Sequence, residues 1–318
     1  MQKLKSQVKT KKKSGITGTL SQYYKYRYLF LMLLPVMIYY VIFHYGPIYG
    51  ITIAFKDFYP LQGIMDSPWV GLKYFKQLFS DPFFLPALKN TLIISFWKLL
   101  IGFPTPIILA LMLNEIANQR AKKFFQTVTY LPHFLSWVVL SGLLIEMLSP
   151  TRGPINILLK SLGMEPIFFI ADPKWFRPVI VLSGVWRELG WQSIVFLAAM
   201  TNIDPELYSV ADLDGAGRLR KMWSITIPSI MPVIIIMLIL SVGNLINDDF
   251  DQIYNLLNGN VLNVGEVIST YTYKVGLVNM NYSYSTAVGV FKNVIAFILV
   301  MSTNFLASRM SDGETSLF

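Results

Sequence analysis

A set of charged and polar side chains lies inside or beside strongly apolar stretches of this sequence. A charge at the centre of a bilayer costs about 2.5–3.5 kcal/mol, so such a group normally faces protein or a water-filled pathway. Aromatic rings beside hydrogen-bonding groups suit sugars, whose C–H faces stack on rings while their hydroxyls need donors and acceptors. These residues together predict a polar translocation route: Lys98, Glu146, Trp186, Arg187, Glu188, Trp191, Gln192, Asn244, Asp248, Asp249 and Lys292.

Each of these residues also has a simpler interpretation. Lys98 and Lys292 can extend their ammonium groups to the membrane surface, and Trp186 and Trp191 can anchor helices at the interface with water. For any single residue the simpler role is the more common one. The group as a whole favours a polar route, because so many hydrogen-bonding side chains fall near the same apolar stretches.

The motifs of a self-contained enzyme are missing from the sequence. It contains no G-x-x-x-x-G-K-[ST] phosphate loop and no G-x-S-x-G nucleophile turn, which argues against nucleotide hydrolysis and acyl transfer. Cysteine is absent, and neither His44 nor His133 has a histidine or glutamate at metal-binding spacing. We therefore expect no catalytic residues, no metal site and no cofactor bound by this chain.

The elements that must position the polar residues are membrane helices. Of the 318 residues, 54% are hydrophobic and 14% are charged, whereas a soluble domain carries about 25% charged residues. A helix needs about 20 mostly apolar residues to cross a bilayer. Six stretches qualify and predict an all-α membrane protein with six transmembrane helices: 28–45, 90–113, 127–148, 178–200, 229–246 and 286–307.

Basic residues orient these helices. The net charge of +9 indicates basic cytoplasmic loops rather than nucleic-acid binding. Fifteen Lys and Arg residues fall in the tails and loops on one side, and nine fall in the loops on the other. The richer side is predicted to be cytoplasmic. The prediction is a basic cytoplasmic tail over 1–27, an uncleaved six-helix domain over 28–308 and a cytoplasmic tail over 309–318.

One loop on the opposite side carries a helical pattern of its own. Over 71–84 it reads "GLKYFKQLFSDPFF", with apolar and polar residues at helical spacing. This pattern predicts either a short helix at the membrane interface or a packed surface loop, and the sequence favours neither.

A charged segment over 203–228 interrupts the apolar pattern on the cytoplasmic side. It reads "IDPELYSVADLDGAGRLRKMWSITIP". Asp204 can cap a helix, and Pro205 suits the first helical position. Gly215 permits a sharp turn with positive φ. These signals predict a small helix–turn–helix with an apolar face. A simple basic loop that fixes topology would explain the basic residues, but not the cap or the turn.

With these residues the chain resembles the permease subunits of binding-protein-dependent ABC importers, in the sugar and oligosaccharide branch. The family's cytoplasmic coupling loop has Glu-Ala-Ala, two residues, Asp-Gly-Ala and later Ile-x-Leu-Pro. Here the three motifs read "SVA" at 209–211, "DGA" at 214–216 and "ITIP" at 225–228. "ELGWQSIVFLAAMTNIDPELY" is similar to the sugar-permease branch, and "YGPIYGITIAFKDF" is typical of permeases for complex oligosaccharides.

The resemblance implies the type I ABC importer permease fold and a coupling role for the loop. Ser209 stands where the family has glutamate, and Val210 stands where it has alanine, so the family's carboxylate is absent from this contact. The residues implied for ATPase coupling are Leu207, Ser209, Val210, Ala211, Asp214, Gly215, Ala216, Gly217 and Arg218.

The partners of the chain follow from the same resemblance. They are a second permease subunit, expected as a heterodimer, two cytoplasmic ATP-binding subunits and an extracytoplasmic sugar-binding protein. ATP and Mg²⁺ would be used by the partner ATPase, and the chain would lie in a bacterial plasma membrane. The implied substrate is an oligosaccharide. An acidic plant-derived one is an option, because Lys98, Arg187 and Lys292 would suit a uronate carboxylate.

Two other classes of protein remain as alternatives. A secondary transporter would use an ion gradient through Glu146, Glu188 or the aspartates at 248–251, and would need no ATPase. Inverted internal repeats would favour it, and the sequence shows none. A membrane-embedded enzyme would need a catalytic constellation that the sequence lacks.

Overall fold

The computed structural model describes the backbone of residues 26–310 and the side chains of residues 26–305. Within that range the chain is helical, with one isolated antiparallel bridge between Lys56 and Trp69. The predicted tails lie outside the described residues, apart from 26–27 and 309–310. The described part of the chain divides into two units, with the boundary between Thr52 and Ile53.

The first unit contains one long apolar helical segment. Helix α1 (Arg27–Tyr40) continues through a π-helical turn (Val41–Tyr45) into a 3₁₀ segment (Gly46–Phe55) that runs into the second unit. Large apolar side chains are exposed along the length of α1. A helix that is apolar on all faces is stable where lipid or another apolar surface covers it, which agrees with the predicted first span.

The second unit consists of helices joined by turns, loops and short 3₁₀ or π-helical segments. In chain order they are α2 (Gly63–Asp66), α3 (Lys73–Ser80), α4 (Phe84–Gly102), α5 (Pro104–Asn114), α6 (Gln119–Tyr130), α7 (Trp137–Met147), α8 (Pro154–Ser161), α9 (Pro173–Met200), α10 (Pro205–Leu213), α11 (Arg218–Lys221), α12 (Ile227–Gly243), α13 (Phe250–Leu256), α14 (Leu262–Gly265), α15 (Ile268–Tyr273) and α16 (Tyr282–Met310).

Several of these helices are long and apolar enough to cross a membrane. Among the described residues, four segments qualify: Arg27–Phe55, Phe84–Asn114, Arg218–Gly243 and Tyr282–Phe305. A fifth is formed if the bent pair described below counts as one span. Helix α9 has 28 residues, or about 42 Å of rise, but it carries Arg187 and Glu188 near its middle. The described chain thus contains four or five such spans by length and composition, where the sequence predicted six.

The third predicted span, 127–148, is not a continuous helix. The chain bends by 104° between Gln119–Phe134 and Trp137–Met147. Pro132 has no N–H to continue a helix. Ser136 then caps α7, because its hydroxyl accepts a backbone hydrogen bond from the first turn at 3.4 Å. The break therefore follows from local sequence signals.

The core of the second unit is built from three apolar clusters, and α9 contributes to two of them. One unites α9 with α4 and α13, and another unites it with α5 and α12. Near the bend, Gly190 lies directly against α6, since a Cβ there would come within 2.1 Å of the Thr129 carbonyl oxygen. Helix α9 is thereby packed against the bent segment without room for a side chain.

The loop over 71–84 forms a helix, as one of the two interpretations predicted. Helix α3 buries Leu78 in the core, and its location at a membrane interface stays a prediction. Asp57 anchors the start of α3, because its carboxylate accepts hydrogen bonds from Lys73 at 2.9 and 3.0 Å and from the Tyr74 hydroxyl. The Tyr74 and Lys73 hydrogen bonds hold the pKa of Asp57 below its ordinary value.

Candidate functional site

A cavity of about 430 Å³ lies between α4, α9 and the segment that follows α12. Six residues of the predicted polar route line it, and they come from all three elements. These six are Lys98, Glu188, Gln192, Asn244, Asp248 and Asp249. Residues distant in sequence therefore meet in one space within the helical unit, and the arrangement offers donors, acceptors and both signs of charge.

Lys98 contributes an ammonium group to the wall of this cavity. Its Nζ lies 2.7 Å from Asp249 Oδ2 and 2.6 Å from Gln252 Oε1. The Lys98 side chain is 20% exposed and that of Asp249 is 47% exposed. Lys98 is thus held from both the cavity side and the protein side.

Asp248 is the buried member of the adjacent pair of aspartates. Its side chain is 2% exposed and lies 3.2 Å from Lys292 Nζ. The second carboxylate oxygen accepts hydrogen bonds from the Ser269 N–H at 3.1 Å and the Ser269 hydroxyl at 2.9 Å. This carboxylate joins the segment after α12 to α15 and α16.

Arg187 and Glu188 make contacts with the bend between α6 and α7. Arg187 donates to Glu188 at 2.7 Å and to the backbone carbonyls of His133 at 3.2 Å and Leu135 at 3.4 Å. His133 Nδ1 lies 3.1 Å from the other Glu188 oxygen. Trp191 stacks on the His133 ring at 4.5 Å. One face of the indole, predicted as a sugar platform, is therefore covered by protein.

Five predicted route residues do not line this cavity: Arg187, Trp191 and Lys292, described above, and Glu146 and Trp186. Glu146 pairs with Arg152 at 2.7 Å, and both line a second cavity of about 370 Å³. Trp186 is 45% exposed on α9 and does not line the first cavity. Among the described residues, no group of three or more His, Asp or Glu side chains is arranged to hold a metal ion.

Gln252 is a site residue that the sequence reasoning did not single out. It is fully buried, and its Nε2 donates to the Ile180 carbonyl at 2.7 Å and to Ser183 Oγ at 2.9 Å. A carbonyl only accepts, so the amide nitrogen must face Ile180 and the amide oxygen must face Lys98. No local pattern around residue 252 indicates this partnership, which arises when α13 packs against α9.

The segment over 203–228, which we call the coupling segment, forms the predicted helix–turn–helix. Asp204 caps α10 by accepting from the Glu206 N–H at 2.9 Å. Gly215 has φ of +71°, a conformation that favours glycine. The Ala216 N–H donates back to the Ala211 carbonyl at 2.9 Å, which closes the turn. The two short helices are thereby fixed relative to each other at the turn.

Side-chain contacts complete the coupling segment, and its apolar residues point outward. Tyr208 bonds to Thr226 at 2.9 Å, and Lys221 bonds to Asp212 at 2.7 Å. Ser209, in the family's glutamate position, donates to the Pro205 carbonyl at 3.3 Å within its own helix. The large exposed apolar residues are Leu207, Val210, Leu213, Leu219 and Trp223. Leu213 is the most exposed of them, at 89%.

Residues 102–312 match the protein-family model described as "Binding-protein-dependent transport system inner membrane component". The chain belongs to this family. Its members are permease subunits, and the ATPase of the transport system is a separate subunit. As a binding-protein-dependent permease the chain is not an enzyme, and neither the ion-driven transporter nor the membrane-embedded enzyme describes it.

Similar proteins are known for almost the whole length of this permease. It is 48% identical over 292 residues, 92% of this chain and 90% of the relative, to the polygalacturonan/rhamnogalacturonan transport system permease protein YteP of Bacillus subtilis (strain 168). It is 44% identical over 283 residues, 89% of each chain, to protein LplB of the same organism.

A solved structure extends the likeness to the fold. A bacterial ABC transporter involved in the import of the acidic polysaccharide alginate matches with a TM-score of 0.85 and 38% identity, over 92% of this chain and 99% of that chain. A bacterial alginate ABC transporter in complex with a periplasmic protein that holds an alginate pentasaccharide matches equally well, with a TM-score of 0.85 and 38% identity. The permease therefore has the type I ABC importer fold.

Proposed function

We propose that this permease subunit translocates an acidic oligosaccharide that an extracytoplasmic binding protein delivers. The observation that carries the proposal is the cavity with the Lys98 ammonium group in its wall. Polygalacturonan and alginate, named for two similar transporters, are polymers of uronic acids. Uronate residues present one carboxylate per sugar, and a partly enclosed ammonium group is a strong hydrogen-bonding partner for a carboxylate.

The energy for transport is proposed to come from a separate ATPase. The coupling segment supports this role, because it presents exposed apolar side chains on a backbone fixed by the Asp204 cap, a turn and two side-chain bonds. Such a patch on a cytoplasmic surface is typical of a protein interface. We propose that Leu207, Val210 and Ala211 contact the ATPase, together with the outward-facing Leu213. Asp214 to Arg218 would hold the turn in the required shape. ATP and Mg²⁺ would bind to that partner and not to this chain.

The proposed membrane arrangement has six spans with both termini in the cytoplasm of a bacterium. Helix α9 completes the count of six, once the bent pair is counted as one span. Its polar residues are tolerated because Arg187 and Glu188 face each other and the bend rather than lipid. The exposed apolar surface of α1 would be covered by lipid or by a second permease subunit, which we propose to be a different chain. Two ATPase subunits would bind beneath the pair.

Purification of a tagged copy tests this assembly. The chain is extracted from bacterial membranes in mild detergent, and the proteins recovered with it are identified by mass spectrometry. We expect an ATP-binding subunit and a second permease chain. Recovery of the tagged chain alone, in a preparation that still transports sugar, would contradict the proposed energy source. The partner binding protein is then titrated with trigalacturonate and with maltotriose, and selective binding of maltotriose would contradict the acidic substrate.

A further inference from the structure

Two adjacent aspartates at the cavity have opposite environments. Asp248 is 2% exposed, and both of its carboxylate oxygens are occupied by Lys292 and Ser269. Asp249 is 47% exposed. Among the described residues, Lys98 is the group that the Asp249 carboxylate contacts, and Asp249 makes no capping bond to α13, which begins beside it. Asp248 is therefore fixed in place, whereas the contact of Asp249 is of the weak, exposed kind.

The Lys98 ammonium group is fixed independently of Asp249. Gln252 presents its amide oxygen to Lys98 at 2.6 Å and is itself clamped by Ile180 and Ser183. The lysine stem crosses α9 at Gly184, where a Cβ would lie 3.1 Å from Lys98 Cε. Release of the Asp249 carboxylate would therefore leave the ammonium group in the same place, directed at the cavity.

The other two basic residues of the predicted route are not available in this way. Arg187 is committed to Glu188 and to two backbone carbonyls at the bend, and its guanidinium lies 5.0 Å from the Trp137 ring centre. Lys292 is 18% exposed and pairs with the buried Asp248. Lys98 is the basic residue that both lines the cavity and has an exposed partner.

We propose that Lys98 binds a carboxylate of the passing sugar acid and that Asp249 is its exchangeable counter-ion. The inference rests on the proposed acidic substrate. Between transport cycles Asp249 neutralises Lys98, which avoids an unpaired charge inside the membrane. A uronate carboxylate replaces that of Asp249 on the ammonium group, and Asp249 turns toward the water of the cavity. When the sugar leaves, the Asp249 carboxylate returns.

This exchange gives selectivity without tight binding. A neutral sugar offers only hydroxyl oxygens, which are uncharged acceptors and bind the ammonium group more weakly than the Asp249 carboxylate does. An acidic sugar gains a carboxylate contact with Lys98, but it competes with the Asp249 carboxylate for that position. Its apparent affinity is therefore lower, because Lys98 is available only while Asp249 is released. Weak binding with charge selectivity suits a pathway from which the substrate must depart.

The test compares variants of the complete transporter in proteoliposomes, with binding protein and ATP supplied. The measurements are uptake of radiolabelled trigalacturonate and ATP hydrolysis stimulated by the loaded binding protein. The variants are Lys98→Gln, the double variant Lys98→Gln/Asp249→Asn and, as a matched control, Lys160→Gln on the exposed side of α8. We expect Lys98→Gln to lower uptake about tenfold or more, the effect of losing a charged hydrogen bond, while ATP hydrolysis and the control variant stay near wild type.

The double variant separates recognition from structure. It removes the ion pair without leaving an unpaired charge, so a purely structural role of Lys98 predicts that its uptake returns to the wild-type rate. Our inference predicts that uptake stays low, because no ammonium group is left for the sugar. Wild-type uptake by either variant would overturn the inference. Failure of the wild-type transporter itself to import trigalacturonate, with import of maltotriose, would overturn the proposed function and this inference together.

Discussion

The functional side chains of the cavity are paired within the chain, whereas those of the coupling segment are exposed. Around the cavity each charged group has a partner within the chain, as in the pairs Lys98–Asp249 and Lys292–Asp248. In the coupling segment the internal bonds hold the backbone, while Leu213, Leu219 and other apolar side chains remain exposed. The charges of the cavity are paired without a substrate. The apolar surface of the coupling segment, in contrast, is not covered by any of the described residues.

The difference indicates how each region meets its partner. A substrate must pass through and leave, so its contacts must replace contacts that already exist and reform afterwards. A docking partner stays, and burial of apolar surface is the main favourable contribution to a lasting contact. Substitutions in the coupling segment should therefore disrupt assembly, and those around the cavity should alter selectivity or stability.

The largest effect is expected from Gly215→Pro. Proline fixes φ near −65°, whereas Gly215 has φ of +71° and donates its N–H to the Asp212 carbonyl at 3.1 Å. The turn cannot keep its shape, so sugar uptake and co-purification of the ATPase should be abolished while membrane insertion persists. Gly163→Pro is the matched control, because Gly163 also has positive φ and donates its N–H to Lys160; it should retain the ATPase. Normal uptake by Gly215→Pro would remove the basis for the coupling role.

Leu213→Asp should have the next largest effect. Leu213 is 89% exposed, so the substitution leaves the fold of the coupling segment intact and changes only what a partner meets. A charge in a buried interface should weaken ATPase binding about tenfold or more, measured by titrating the ATPase onto the detergent-solubilised permease. Leu61→Asp is the control, since Leu61 is also fully exposed. Equal ATPase affinity of both variants would place the interface elsewhere.

Asp248→Asn sharpens the contrast within the cavity. Loss of the buried carboxylate leaves Lys292 without its counter-ion, and breaking such a pair typically costs about 3–5 kcal/mol. The unfolding temperature of the purified subunit should fall clearly. Asp249→Asn, next in the chain but exposed, should change the unfolding temperature little. A similar fall for both variants would contradict the division into a fixed and an exchangeable carboxylate.

The smallest effect is expected from Asp57→Asn at the start of α3. Hydrogen bonds from Tyr74 and Lys73 hold the pKa of Asp57 below its ordinary value of 3.8, so the ionised form is the one that stabilises the fold. That stabilisation is complete above the ordinary value and is lost as pH falls through the lowered one. Since the Lys73 side chain is 53% exposed, the ion pair is weak and the unfolding temperature should fall by less than about 2 °C. The difference should be constant from pH 6 to 8 and shrink at acid pH; a difference that grows at acid pH would contradict the assignment.

Much of the coupling segment was predictable from sequence, because its signals are local. Asp204 and Gly215 occupy the cap and the turn that their residue types favour, and the family motif lies on the same stretch. The exposure of Leu213 was not predicted, since no helical pattern distinguishes an apolar residue that faces solvent from one that packs. The break in the third span has a local signal in Pro132 and Ser136, but the angle of 104° depends on how α6 and α7 pack and has no local signal.

The cavity was predictable in part, because its contacts join distant elements. A charge in an apolar stretch singles out Lys98 or Asp248, and the structure brings both to the same cavity. The ion pair between Lys98 and Asp249 could not be predicted, since the two residues lie 151 positions apart and no local pattern connects them. Gln252 carries no signal at all, and Trp191 was predicted to face sugar, although its ring stacks on His133. Which polar residue faces the substrate is decided by helix packing.

The most direct test of the central claim measures which energy source drives uptake of an acidic sugar. Proteoliposomes that contain the permease pair are prepared with and without the ATPase subunits, and trigalacturonate uptake is measured with binding protein, ATP, or an imposed proton or sodium gradient. We predict uptake when binding protein, ATPase and ATP are all present, and none from a gradient alone. Gradient-driven uptake by the permease without its ATPase would contradict the account.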